Sequence, residues 1–222
     1  VWLFRIRENL VQRLATFLVC LLLQACSDTT QGLGTSLWHS IVGEDGVQLT
    51  HDEIQNMRYA SQYMRLNNGP QIFVVLAYDE NGQQKWVTQD RAMVVTENGR
   101  IVKTTGLGDN LQQVTNMASD PLAKANQIVD GISWTRQMAW TEHQQVRMAS
   151  ARSTFTWDGT DTLNVAESTT PVRILDEEIT ALDKTWHNRF WIDSAGQVRQ
   201  SKQYLGPDYW PVTTILLKAA KE

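Results

Sequence analysis

The chain has 222 residues, of which 42% are hydrophobic and 20% charged, with ordinary glycine and proline content and a formal net charge of −4. That composition excludes a disordered or collagen-like polymer, and the mild acid excess argues against a protein that grips a phosphate backbone, so no nucleic-acid partner is expected. Nine Trp beside five Tyr and five Phe point instead to a folded, aromatic-rich body large enough to bury its own core.

Arg5, Arg7 and Arg13 precede an uncharged apolar run from Leu14 to Leu23, the layout of an export signal. Ten helical residues span about 15 Å, roughly half of a bilayer's hydrocarbon thickness, so this run is too short to stay as a transmembrane anchor. Leu23, Gln24, Ala25 and Cys26 follow and resemble the lipobox of bacterial lipoproteins, in which a small residue precedes a lipid-bearing cysteine. Gln24 is its least usual member, and a plain secretory signal with a coincidental cysteine is the alternative. Residues 1–25 are expected to be removed as a signal peptide and Cys26 to carry the lipid. Each buried methylene contributes about 0.8 kcal/mol, so several acyl chains anchor the protein on a membrane effectively for good. Ser27, being other than Asp, directs the expectation to the outer membrane. Removal of the signal leaves 17 basic and 23 acidic side chains, and because Cys20 departs with it no internal disulfide can form.

Residues 26–49 are read as the lipidated cysteine and a tether, polar and glycine-bearing over 27–37, and residues 50–222 as the folded domain. Thr50 and Glu53 form a capping box, with Ile54 and Met57 as an apolar edge, which predicts a short helix from about His51 to Arg58. The runs at 72–78 and 85–88 flank a turn and predict a hairpin. A second hairpin is expected from 92–96 and 100–104 around Asn98-Gly99, a pair that tolerates the positive φ angles of a type I′ turn. Residues 106–130 lose alternation, contain Asp120-Pro121, and are expected to form a long connection with a helical turn.

The later half alternates or is rich in β-branched and aromatic residues in TRQMAW, VRMASARSTFTW, DTLNVAES, PVRILDEEIT, NRFWID, GQVRQSKQYL and VTTILLK. The fold class is therefore mainly β, an antiparallel meander forming a sandwich or barrel-like body with one short N-terminal helix. Residues 94–104 align without gaps on 191–201, Gly99 on Gly196, which fits either two related β units or two unrelated hairpins sharing a glycine turn.

No catalytic signature emerges. His39, His51, His143 and His187 are scattered, so neither a metal site nor a cofactor is expected, and no nucleophile elbow, Walker loop or dinucleotide fingerprint occurs. Asp176, Glu177 and Glu178 are expected to mark a solvated strand end rather than a glycosidase pair. Trp134, Trp140, Trp157, Trp186, Trp191 and Trp210 fit either core packing or a stacking platform for sugar rings. Tyr209 and Trp210, between Pro207 and Pro211, form the best candidate for an exposed aromatic turn contacting saccharide or a partner.

Taken together, YAS at 59–61, VVLA at 74–77, NGRIVKTTGL at 98–107, DPL at 120–122 and NRFWID at 188–193 resemble the YjbF/GfcB family of lipoproteins associated with group 4 capsule and exopolysaccharide production. The resemblance covers about residues 50–218 and is weakest over the tether and 130–150. It implies a periplasm-facing outer-membrane lipoprotein encoded with other exopolysaccharide secretion components, with an outer-membrane protein of the YjbH/GfcD type as the expected partner; polysaccharide is the second candidate partner, through the tryptophans. It carries no enzymatic residues over to this chain.

Overall fold

The computed structural model describes residues 46–220. The signal segment, Cys26, Trp38, His39 and the tether up to residue 45 lie outside the described residues. The first helix, α1, spans His51–Asn56 and is capped as expected: Thr50 Oγ1 accepts the Glu53 N–H at 3.4 Å while Glu53 Oε2 accepts the Thr50 N–H at 2.8 Å. Residues just before it already belong to the body. The Val47 N–H donates to the Gln71 carbonyl at 2.9 Å and the Leu49 N–H to the Tyr63 hydroxyl at 2.6 Å.

Twelve strands follow in one antiparallel sheet. They are β1 (Ser61–Leu66), β2 (Ile72–Glu80), β3 (Gln83–Val87), β4 (Met93–Glu97), β5 (Arg100–Thr105) and β6 (Leu111–Val114). The second half contributes β7 (Ser133–Glu142), β8 (Gln145–Val165), β9 (Ser168–Ala181), β10 (Lys184–Ile192), β11 (Val198–Tyr204) and β12 (Pro211–Lys218). Every strand pairs with its chain neighbour except at one place, and β1 pairs with β12, so the order runs β5-β4-β3-β2-β1-β12-β11-β10-β9-β8-β7-β6. The exception is the seam between β5 and β6. There the Leu111 N–H donates to Thr104 Oγ1 at 2.9 Å, and Thr104 Oγ1 donates to Asn110 Oδ1 at 3.2 Å. The meander thus curls into a nearly closed barrel with its one unladdered join stitched by side chains.

The expected hairpins are present. Asn81-Gly82 and Asn98-Gly99 both have positive φ at each residue, as two-residue type I′ turns demand. The aligned hairpins β4–β5 and β10–β11 share a left-handed glycine, at Gly99 and Gly196, but the second closes through the longer turn between Ile192 and Val198. Two strands were not anticipated. β1 precedes the turn at Asn67-Asn68-Gly69, but its sequence SQYMRL lacks a clean apolar-polar alternation, and β6 lies inside the segment expected to be a connection. The rest of that segment forms two 3-10 turns, Met117–Ser119 and Pro121–Gln127. Leu111 and Val114 are buried while Gln112 and Gln113 are not, a spacing of three produced by the irregularity between Leu111 and Gln113, so no strand-like alternation is visible in the sequence.

A barrel of twelve strands is wider than the eight-stranded kind that side chains just fill, so its interior needs bulky groups. Trp86, Trp134, Trp140, Trp186, Phe155 and Phe190 supply apolar volume, and the 3-10 segment adds Leu122 and Ala125. The remaining space holds a buried charged network. Arg100 on β5 donates through Nε and Nη2 to both oxygens of Asp120, at 2.6 and 3.1 Å, and through Nη1 to Glu177 on β9 at 2.7 Å. Arg136 on β7 lies 3.2 Å from the other Glu177 oxygen. Ser153 on β8 and Asn188 on β10 also donate to Glu177, at 2.6 and 3.1 Å. Two guanidiniums therefore face two carboxylates, and the Arg100 and Arg136 planes stack on Trp134 at 4.6 and 4.4 Å.

This corrects the expectation for the acidic triplet. Asp176 and Glu178 face outward, but Glu177 is 0% exposed in mid-strand because alternation turns every second side chain of β9 into the lumen. Burial alone would raise its carboxyl; Arg100 and Arg136, with hydrogen bonds from Arg100 and Ser153, outweigh burial and hold it at about 2. Burial likewise opposes the charge on Arg100, but Asp120 and Glu177 more than compensate and raise its pKa. Arg136 shares a single carboxylate with Arg100, and burial lowers it to about 10, still a cation at neutral pH.

Candidate functional site

The long hairpin β8–β9 and the two strands beyond it present a cleft of about 670 Å³ on the outer face of the barrel. Its floor is a cross-strand row set by register: Thr156 pairs with Asp176, Asp176 with Arg189, and Arg189 with Lys202. These side chains point outward because their neighbours point in. On β10, Trp186, Asn188, Phe190 and Ile192 fill the lumen while His187, Arg189 and Trp191 alternate to the outside.

Aromatic walls flank the row. Trp157 comes from β8 at a bulge, Trp191 from β10 and Tyr204 from β11, each half-buried. Both indoles are fixed by their N–H groups: Trp157 Nε1 donates to the Ile128 carbonyl at 3.0 Å and Trp191 Nε1 to Asp161 at 3.2 Å. Arg173 stacks over one face of Trp157 at 3.5 Å. The polar groups are mutually engaged, with Arg189 Nη2 donating to Asp158 at 2.7 Å and lying 3.6 Å from Asp176, and His187 Nδ1 2.7 Å from Asp176. Lys202 has no acidic partner within 4.0 Å among the described residues. What such a site can do chemically is bind: flat apolar faces sit beside paired carboxylate and guanidinium groups.

The residues singled out from sequence are divided by the fold. Of the six tryptophans, Trp134, Trp140 and Trp186 are core, Trp157 and Trp191 line the cleft, and Trp210 is 63% exposed in the turn between β11 and β12. Tyr209, its neighbour, packs half-buried against the core, and burial together with Asp109 pushes its hydroxyl up to about 12. Asp208 in this turn pairs with Lys184 at the start of β10. Trp210 is thus open to solvent and Tyr209 is a prop for the turn. The cleft itself was missed as a unit. The available signal was the parity of His187, Arg189 and Trp191 within NRFWID and its flanks.

Among the described residues no group of three or more His, Cys, Asp and Glu side chains is arranged to hold a metal ion, and no helix is long and apolar enough to cross a membrane.

Residues 34–217 match the family model described as group 4 capsule polysaccharide lipoprotein gfcB, YjbF. The chain is 66% identical over 212 residues to the uncharacterized lipoprotein YjbF of Escherichia coli (strain K12), covering 96% of this chain and all of that one. It is 43% identical over 203 residues to the uncharacterized lipoprotein GfcB of the same organism, covering 90% and 95%. The crystal structure of the hypothetical lipoprotein YmcC from Escherichia coli (K12) superposes with a TM-score of 0.75 at 42% identity, covering 89% of this chain and all of that one.

Proposed function

Because the chain belongs to the YjbF/GfcB family of group 4 capsule polysaccharide lipoproteins, we propose that it is a non-enzymatic accessory or assembly factor in the production and export of exopolysaccharide or capsule. Lipid on Cys26 holds it on the outer membrane, facing the periplasm, where it docks an outer-membrane protein of the YjbH/GfcD type. The observation that carries this reading is the extent of the family match, which spans the whole barrel and not one motif. The architecture supports it: a nearly closed meander cross-braced by buried ion pairs is a body suited to holding partners in register.

Crosslinking in intact cells followed by mass spectrometry tests the reading. Crosslinks from the barrel to an outer-membrane protein are expected. A monodisperse monomer without any partner after gentle extraction contradicts it. A second reading, a saccharide-binding module, is favoured by the aromatic cleft over β8–β11 and leads to a more specific statement.

A further inference from the structure

Resting on the reading of a polysaccharide-associated lipoprotein, we propose that the outer-face cleft of β8–β11 binds a short stretch of an acidic pyranose polymer. Three features of the cleft converge on that ligand. The indoles of Trp157 and Trp191 spend their N–H groups within the chain, on Ile128 and Asp161, and Arg173 already covers one face of Trp157, so Trp191 is the principal ring face open to a ligand and Trp157 contributes its remaining surface. The axial C–H groups of a pyranose ring make a flat apolar patch that stacks on such a face. Because both rings are already pinned, binding does not have to order them, which removes part of the usual entropic cost.

Beside the rings, Asp176 and Arg189 stand in one cross-strand row and carry planar groups that accept from or donate to the vicinal hydroxyls of a sugar. The next member of that row is Lys202, a cation on an exposed position with no acidic partner among the described residues. Arg189 is shared by Asp158 and Asp176, so Lys202 is the lining cation left to meet a ligand carboxylate, such as that of a uronic acid unit. The volume of about 670 Å³ lies within the roughly 300–1,000 Å³ of small-ligand sites. The cleft lies on the outside of the sheet, so a polymer can lie across it without threading an end. Inside the barrel, by contrast, the carboxylate of Glu177 is fully engaged by Arg100, Ser153 and Asn188.

The test uses the full-length lipoprotein in detergent micelles and the extracellular polysaccharide of the strain that carries the gene, cut to oligosaccharides. The same material after chemical reduction of its carboxyl groups serves as the uncharged probe. Calorimetric titration of the native oligosaccharides is expected to show binding that falls about tenfold or more in Trp191→Ala and in Lys202→Glu. The Lys202→Glu loss is expected to vanish on the carboxyl-reduced probe, and Trp210→Ala is expected to bind like the unmodified protein. Lys202 is exposed, so this variant keeps the test decisive even where Trp191→Ala fails to fold. No binding by the unmodified protein, or binding unchanged in both cleft variants, overturns the proposal. Equal affinity for native and carboxyl-reduced material overturns its acid selectivity. A strain lacking the gene separates the two readings: a polysaccharide defect without measurable binding sinks the cleft alone, and binding without a defect sinks the export role alone.

Discussion

Arg100 on β5 and Glu177 on β9 meet at 2.7 Å inside the barrel, joining two positions 77 residues apart in the chain. β5 borders the seam, and β9 lies four strands beyond it, so this pair ties the loose edge of the sheet to the opposite run of strands. The same strand serves the cleft, because Asp176 and Glu178 face outward on either side of Glu177. Whatever braces β9 from within also sets the geometry of the outer row.

Replacing Glu177 by Gln keeps the shape but leaves Arg100 and Arg136 facing one carboxylate in place of two. Breaking a buried pair in this way costs about 3–5 kcal/mol, because an uncompensated charge remains out of water. Urea denaturation of Glu177→Gln should show a loss of that size. Asp176→Asn, one residue away but on the outer face, should cost about 1 kcal/mol or less.

Acid should expose the same pair. The Glu177 carboxyl is held at about 2 in the folded barrel against an ordinary value of 4.5, so the unfolded chain binds the extra proton first. Its contribution to stability is complete above about pH 4.5 and is lost as the pH falls toward 2, an effect on the order of 3 kcal/mol. Denaturation midpoints measured across this window should fall more steeply for the unmodified protein than for Glu177→Gln. Parallel curves would place the titrating group elsewhere.

Gly99 ends the β4–β5 turn at φ +80°, and a Cβ built on it would stand 2.5 Å from Cβ of Val198. Gly82 has nearly the same backbone, at φ +76°, with nothing within 4 Å. Gly82→Ala therefore reports backbone strain alone, about 1 kcal/mol, whereas Gly99→Ala adds a clash and should cost about 2 kcal/mol more. Thermal unfolding of the two variants, with Val198→Gly added to Gly99→Ala to remove the clashing Cβ, checks this difference.

Local chemistry made part of this fold legible. Thr50 and Glu53 announce their helix because both halves of the cap lie within four residues, and Asn98-Gly99 announces its turn because both residues tolerate positive φ, whereas His143-Gln144, Ala166-Glu167 and Leu182-Asp183 adopt such angles without that signal. What could not be read are features decided by distant pairing. The acids at 176–178 look alike in sequence, yet only Glu177 is turned toward Arg100 and Arg136. The tryptophans likewise differ not in type but in parity: Trp186 points into the lumen and Trp191 out of it, on the same strand. β6 escaped because four residues with two inward positions carry too little pattern to be seen, and its place is set by Trp140 and Met138 of β7 opposite.

We propose that this barrel serves polysaccharide export from a lipid anchor. The most direct measurement is the amount of cell-surface polysaccharide in a strain lacking the gene, complemented either by the unmodified protein or by Cys26→Ser. A reduced level restored by the unmodified protein and not by Cys26→Ser is predicted. An unreduced level without the gene, or full restoration by Cys26→Ser, would contradict the claim.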